Sequence, residues 1–208
     1  SSTLQRNFML TLYDFKSSGN GYKVRLLLHQ LRLPFIYVET NILKGESRTP
    51  QFLEMNPNGK VPTLALGDGR YLGESNAILL YLAEGTGFLP SDLWQQSKAH
   101  EWLFFEQYSH EPNIATPRFW KNYLRVEEYE KRELTPRQQA VRDGLSMMER
   151  HLRENEFFGR QYGIADIALY AYTHKANEAG HAISDFSAIE AWLARVRAQP
   201  GHVTMDVV

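Results

Sequence analysis

The sequence predicts a small α/β domain over residues 8–85, in the order βαβαββα, followed by an all-helical domain over residues 91–205. Three observations carry that prediction. The apolar period passes from two to 3.6 and back to two between Phe8 and Val38, as a parallel strand–helix–strand unit requires. Gly67-Asp68-Gly69 separates two extended runs, which is a hairpin signal. No convincing strand pattern follows Thr86–Pro90, the stretch TGFLP.

Taken in order, Phe8–Phe15 reads as a strand buried on both faces, with Phe8, Leu10 and Leu12 on one and Met9, Thr11 and Tyr13 on the other. Val24, Leu27, Leu28 and Leu31 then mark one face of a helix. Phe35–Val38 is a second strand. Thr49-Pro50 opens a short helix as cap and first residue, and NPNG closes it. Lys60–Leu66 and Arg70–Leu72 are the third and fourth strands. The helix from Glu74 stops at Gly85.

Beyond TGFLP, Trp94–Tyr108 is an aromatic-rich helix and Asn113–Glu128 a second, broken near Pro117. Thr135-Pro136 with Gln138 forms a capping box ahead of the stripe Val141, Leu145, Met148, Leu152. Ile164–Ala176 is apolar enough for a central buried helix. Ile189, Trp192, Leu193 and Val196 mark the last helix, which Pro200 stops.

Composition narrows the chemistry. The chain has 208 residues, 43% hydrophobic and 23% charged, with a net charge of −1, so nothing favours nucleic acid or an anionic membrane surface. No apolar run approaches the ~20 residues of a spanning helix. The opening SSTLQRN is polar and lacks the apolar core of a signal peptide, and a cytoplasmic location is the expectation. Cysteine is absent, which excludes disulfides, thiolate metal ligands and a cysteine nucleophile. The seven histidines show no metal-binding spacing, and His100, His110 and His151 read as helix-surface or interface residues.

Three short stretches carry chemistry. Ser17–Gly21 joins the first strand to the first helix, where unpaired N–H groups favour an anion. The stretch fits neither GxGxxG nor GxxxxGK[ST], so a nucleotide phosphate is disfavoured. Ser18 and Asn20 there either cap the helix or, in Ser18's case, donate to a thiolate. In NPNGKVPTL, Pro62 stands at a strand entry. A cis Val61–Pro62 bond would free the Val61 N–H and C=O for an extended peptide, although only ~5–6% of such bonds are cis. In GESNAIL, Glu74 and Ser75 open a helix, either as dipole partner and cap or as a clamp for an ammonium and a carboxylate.

The stretches YDFKSSGNGYKVRLLL, NPNGKVPTL and GESNAILLYLAEG, in this order and spacing, resemble the N-terminal domain of the soluble glutathione S-transferases. FFGRQYGIADIALYAY is similar to that family's buried-helix motif. The resemblance covers nearly the whole chain and implies a thioredoxin-like domain, a helical domain and a homodimer. It implies a bacterial-like, serine-type transferase in which glutathione is the co-substrate, attacking a small electrophile without a metal, in a detoxifying role.

By that resemblance Ser18 matches the catalytic serine, with Asn20 assisting or substituting. Lys60, Val61 and Pro62 match the positions that hold the glutathione backbone. Glu74 and Ser75 match the pair that holds the γ-glutamyl head, and Asp166 matches a structural capping aspartate. Tyr108, Arg118, Phe119 and Trp120 are candidates for the electrophile pocket, and Lys44 or Arg48 for the glycyl carboxylate.

Departures from the family pattern bear on class. Gly163 stands where the family's helix motif has a serine or threonine cap. Ser18-Gly19-Asn20 is not the Ser-Ser-Cys of the isomerase-like zeta class, and cysteine-dependent classes are disfavoured. Tyr13 lies before the loop, which argues against tyrosine-type catalysis. The alternatives are a non-catalytic interaction module of the same fold, or a specialised glutathione-dependent lyase, dehalogenase or disulfide reductase.

Overall fold

The computed structural model of the chain describes residues 9–124, 128 and 135–208. Cα packing divides it into two units, residues 1–89 with 199–208 and residues 90–198.

The first unit runs β1 (Leu10–Asp14), α1 (Gly19–Gln30), β2 (Phe35–Glu39), two 3-10 turns (Ile42–Lys44 and Glu46–Arg48), α2 (Pro50–Met55), β3 (Thr63–Ala65), β4 (Tyr71–Leu72) and α3 (Ser75–Ala83). This is the expected βαβαββα order. The sheet order is β2-β1-β3-β4, with β1 and β2 parallel and the other two pairings antiparallel. Parallel β1 and β2 need a long crossover connection, and α1 supplies it. Every residue of α1 from Gly21 to Leu28 is buried. Thr49 Oγ1 accepts from Phe52 N at 3.2 Å with Pro50 as first helical residue, as the sequence indicates. Gly85, at φ 72°, follows the C-cap of α3 and takes the left-handed stop.

The two units divide the chain differently from the 8–85 and 91–205 expected from periodicity. Gln199–Val208 belongs with the first unit. Backbone carbonyls hold it there: Tyr22 Oη donates to Val203 O at 2.6 Å, and Arg25 Nη1 donates to Met205 O at 2.7 Å and Val207 O at 2.6 Å. Bonds to carbonyls leave no trace in side-chain patterning, so this extension is invisible to hydrophobic periodicity.

The second unit is helical: α4 (Leu93–Phe105), a π-turn (Glu106–His110), α5 (Glu111–Tyr123), α6 (Thr135–Leu152), α7 (Ile164–Thr173), a 3-10 turn (Ala176–Ala179) and α8 (Ser187–Arg197). Val141, Leu145, Met148 and Leu152 of α6 are buried, as are Ile189, Trp192, Leu193 and Val196 of α8. Helix α5 runs through Pro117 instead of breaking there. Proline removes one N–H, but Ile114 and Pro117 are both buried and their packing carries the helix past it. Helix α5 ends at Tyr123, with Leu124 extended at its C-cap; residues 125–127 of the expected Asn113–Glu128 helix, and the Thr135 side chain of the expected capping box, lie outside what is described.

At the centre of the second unit, α7 is buried along its whole length. The Asp166 carboxylate accepts from Phe158 N at 3.0 Å, Gly163 N at 3.1 Å and Trp192 Nε1 at 2.8 Å. Glycine has no side chain to reciprocate, so this is half of a capping box, and Asp166 is the structural aspartate the resemblance implied. Burial pushes Asp166 up to about 7 against the pull of the Trp192, Phe158 and Gly163 donors. Glu149 of α6 caps the start of α8 from outside, accepting from Ala188 N at 3.1 Å and Ile189 N at 2.9 Å.

His110 is not a surface residue. It is fully buried, with Nε2 2.9 Å from Thr173 Oγ1. Thr173 Oγ1 donates to Leu169 O at 2.6 Å, so His110 Nε2 carries the proton between the two side chains. His151 stacks on Phe158 with ring centroids 5.2 Å apart. Among the described residues no helix is long and apolar enough to cross a membrane.

Candidate functional site

The sheet register brings the three sequence stretches to one end of the first unit. Tyr13 of β1 pairs with Thr63 of β3, so the end of β1 lies beside the start of β3. Leu64 pairs with Leu72, so the end of β4 arrives at the same end of the sheet. Ser17–Gly21 leaves β1 here, Val61–Pro62 enters β3 here, and Glu74–Ser75 follows β4 here.

Ser18 is the N-cap of α1. Its Oγ accepts from Gly21 N at 3.3 Å and its backbone N donates to Phe15 O at 2.7 Å. Ser18 is half-buried, and its capping bond uses a lone pair, leaving the hydroxyl hydrogen as a donor. Two residues on, Asn20 Oδ1 accepts from Lys23 Nζ at 2.8 Å and from Ser75 Oγ at 3.2 Å. The structure thus joins Asn20 to Ser75 directly.

The Val61–Pro62 peptide is cis, against the base rate. Lys60 O accepts from Asn56 Nδ2 at 3.0 Å and Thr63 Oγ1 at 3.1 Å, which fixes the approach to β3. The β1 ladder begins at Thr63, so Val61 lies outside it, with its backbone groups not engaged in hydrogen bonds among the described residues. Pro62 is buried and Lys60 exposed. Arg48 lies over Gly59, where an ideal Cβ would meet Arg48 Nη1 at 2.8 Å; Lys44 is exposed on the first 3-10 turn.

Glu74 and Ser75 depart from the simple cap reading. Glu74 holds φ 64° and ψ 111°, a backbone conformation that costs a residue with a Cβ ~1–3 kcal/mol. It is exposed and makes no side-chain cap bond. Ser75 is the first residue of α3, and its buried hydroxyl turns to Asn20 and Lys23 instead of to the helix end.

Sequence reasoning missed two buried cations of α1. Lys23 is fully buried and donates to Asn20 Oδ1, Ser75 Oγ (3.3 Å) and Asn76 Oδ1 (3.4 Å). Arg25 is also fully buried. It pairs with Asp14 through Nε at 3.0 Å, donates to Lys16 O at 2.7 Å, and holds the two C-terminal carbonyls described above. Burial pushes Asp14 up to about 7 while the Arg25 guanidinium pulls it back. The signal was present: YKVRLLL places two cations inside an otherwise apolar helix.

The candidates for an electrophile pocket lie in the second unit. Tyr108 is 88% exposed on the π-turn. Arg118 donates through Nε to Glu178 at 2.5 Å, and Lys175 pairs with the same carboxylate at 2.7 Å. Phe119 packs against Tyr123 at 5.1 Å, and the Arg137 guanidinium lies 5.5 Å from the Trp120 ring.

Comparison with known proteins agrees with this architecture. The family model described as glutathione S-transferase, N-terminal domain, matches residues 17–84, and the one described as glutathione S-transferase, C-terminal domain, matches residues 126–195. The chain belongs to the glutathione S-transferase family. A solved structure of a possible glutathione S-transferase from Rhodopseudomonas palustris is 46% identical with a TM-score of 0.90, over 96% of this chain and 90% of that one. A glutathione transferase from Burkholderia graminis, solved with two glutathione molecules bound per subunit, is 29% identical with a TM-score of 0.81, over 93% and 85% of the two chains.

Among curated relatives, the disulfide-bond oxidoreductase YfcG of Escherichia coli is 27% identical over 92% of both chains. Protein URE2 of Meyerozyma guilliermondii is 39% identical over 50% of this chain. The match spans 38% of the length of that URE2 protein.

Proposed function

We propose that this protein is a glutathione transferase of the serine type. The observation that carries the reading is the meeting of Ser18–Asn20, Val61–cis-Pro62 and Glu74–Ser75 at one end of the sheet, with Asn20 and Ser75 in direct hydrogen bond. Glutathione lies along Val61, whose backbone pairs with the cysteinyl portion as an added strand. The γ-glutamyl carboxylate meets Ser75 and the N–H groups opening α3, while Glu74 faces the ammonium. The thiol then reaches the start of α1. Ser18 Oγ–H and the helix N–H groups favour the thiolate, and the thiol proton leaves to solvent. The thiolate attacks an electrophilic carbon of the second substrate, and the leaving group departs with the bonding pair. Orientation of the two reactants supplies the rest of the rate.

A second reading is favoured by the likeness to YfcG along 92% of both chains. In a disulfide reductase, one glutathione thiolate attacks a substrate disulfide, forming a mixed disulfide and expelling a thiolate. A second glutathione resolves the mixed disulfide, so two glutathiones are oxidised as one disulfide is reduced. The two molecules per subunit in the Burkholderia graminis transferase support room for such a pair.

Calorimetric titration with glutathione tests the common core, with binding expected in the range below millimolar and its absence promoting the interaction-module reading. A panel of aryl halides, enones and small disulfides then separates carbon attack from disulfide reduction. We further propose a cytoplasmic homodimer. Trp94 (67% exposed) and Phe104 (76%) stand as exposed apolar side chains towards the two ends of α4, on a surface that a second copy would cover.

A further inference from the structure

The loop that carries Ser18 begins as a tight turn. Ser18 N donates to Phe15 O at 2.7 Å, which closes a β-turn with Lys16 and Ser17 at its centre. Such a turn bonds through its end residues, so it offers no partner to the N–H and C=O of Lys16. Both are nevertheless taken. Lys16 N donates to the Glu39 carboxylate, 3.1 Å from Oε2 and 3.4 Å from Oε1, and Lys16 O accepts from Arg25 Nη2 at 2.7 Å. Lys16 is exposed, where water would serve its backbone as well. Two charged side chains serve it instead, one from the edge strand β2 and one from α1.

The two bonds act on different peptide planes. Lys16 N belongs to the Phe15–Lys16 peptide and Lys16 O to the Lys16–Ser17 peptide. Rotation of the second plane is what interconverts type I and type II turns, and type II needs a positive φ at Ser17, which Ser17 does not have. With both planes held, the turn keeps one shape and delivers Ser18 to the start of α1 in one orientation. Charged partners make such bonds about twice as strong as neutral ones. The Glu39 carboxylate is itself fixed by the Tyr37 hydroxyl, which donates to Oε2. Strand β2 supplies none of the three site stretches, yet it reaches Ser18 through the Lys16 backbone.

We propose that Glu39 is a positioning residue of the thiol site: from β2 it holds the Lys16 N–H, opposite Arg25 on the Lys16 carbonyl, and so fixes the turn that aims the Ser18 hydroxyl at the glutathione sulfur. The inference rests on the serine-type transferase reading. The charged and titratable groups around this turn are Asp14, Arg25, Tyr37, Glu39 and the ammonium of Lys16, with Glu74 following β4 at the same end of the sheet. A carboxylate near a thiol opposes its ionisation by charge. Glu39 therefore acts with two opposite signs: its charge raises the thiol pKa and its bond to Lys16 lowers it.

The test compares Glu39→Gln with Glu39→Ala, each alone and combined with Ser18→Ala, by the ultraviolet absorbance of bound glutathione thiolate against pH. Glu39 is exposed on an edge strand, so both variants are expected to fold. Both remove the charge, but glutamine keeps an oxygen for Lys16 N and alanine does not. The gap between them is the positioning effect alone. The apparent pKa of the bound thiol is expected to be about half a unit to one unit higher in Glu39→Ala than in Glu39→Gln, about a three- to tenfold difference in thiolate at a pH below it. In the Ser18→Ala background the gap should close, because the hydroxyl that the turn aims is gone. Coincident pKa values in the two Glu39 variants, or a gap that persists undiminished without the Ser18 hydroxyl, overturn the positioning role while glutathione binding stands. Failure of the wild type to bind glutathione overturns the functional reading, and this inference with it.

Discussion

Replacing Gly21 by alanine should destabilise the first unit, although alanine is the better helix former by ~1 kcal/mol. An ideal Cβ on Gly21 would overlap Cγ, Oδ1 and Oδ2 of Asp14. Asp14 has no room to retreat: it is fully buried and paired with Arg25 Nε at 3.0 Å. Arg25 is in turn held by Lys16 O, Met205 O and Val207 O. If the backbone of α1 shifts, the cost is that of overpacking, ~1–3 kcal/mol. If Asp14 is driven off Arg25, the cost is that of a broken buried pair, ~3–5 kcal/mol. Less the helix-propensity gain, the net loss is about 0–2 kcal/mol by the first route and about 2–4 kcal/mol by the second, and the second lowers the melting temperature by about 4–16 °C at ~2–4 °C per kcal/mol for a chain of this size. Denaturant unfolding followed by far-ultraviolet circular dichroism reads the loss. The control is Gly144→Ala in α6, where a Cβ meets Phe105 Cζ at an ordinary 3.5 Å and should be neutral or mildly stabilising. A Gly21→Ala protein as stable as the wild type would refute the claim that glycine is there to admit the Asp14 carboxyl.

Other outcomes are fixed by the same contacts. Ser18→Ala should cost about 1 kcal/mol through loss of the bond from Gly21 N, measured by equilibrium unfolding, and should raise the pKa of bound glutathione in addition. Asp166→Ala strands the N–H groups of Phe158, Gly163 and Trp192, a loss of about 3 kcal/mol or more in the helical unit, seen as a lowered melting temperature. Burial holds His174 down to about 4, below its ordinary 6.5. The neutral ring therefore contributes fully above about pH 6.5, and its contribution is lost as the pH falls toward about 4, by at most about 3 kcal/mol. His174→Gln should flatten the acid limb of the stability profile over that range. If α4 forms the dimer interface, Phe104→Asp should shift sedimentation toward the monomer without altering the far-ultraviolet spectrum.

The parts of this fold that are legible in sequence are those written in periodicity and punctuation. The change of period at Tyr22 marks α1 because its apolar side chains are what the sheet buries, and Gly85 marks the end of α3 because a left-handed residue is needed there. The three site stretches were readable one at a time, yet each kept a structural alternative. Ser18 caps α1, so that alternative was correct as far as it went, and what it leaves open is decided by the hydroxyl hydrogen, which capping does not use. Ser75 does not cap α3, and the reason lies in another helix: Lys23 and Asn20 draw its hydroxyl away. Partners 52 and 55 residues apart in sequence are set by the sheet register and not by local pattern. The same holds for Arg25, whose acceptors are carbonyls 180 and 182 residues away. Amphipathic reading treats the cations of YKVRLLL as interruptions of an apolar face. In the folded chain one ties the start of α1 to α3 and the other ties it to β1 and the C-terminal segment. A charge inside a helix that burial would otherwise exclude is thus the sequence signal for a fixed helix end, and here the fixed end is the start of α1, where Ser18 caps the helix.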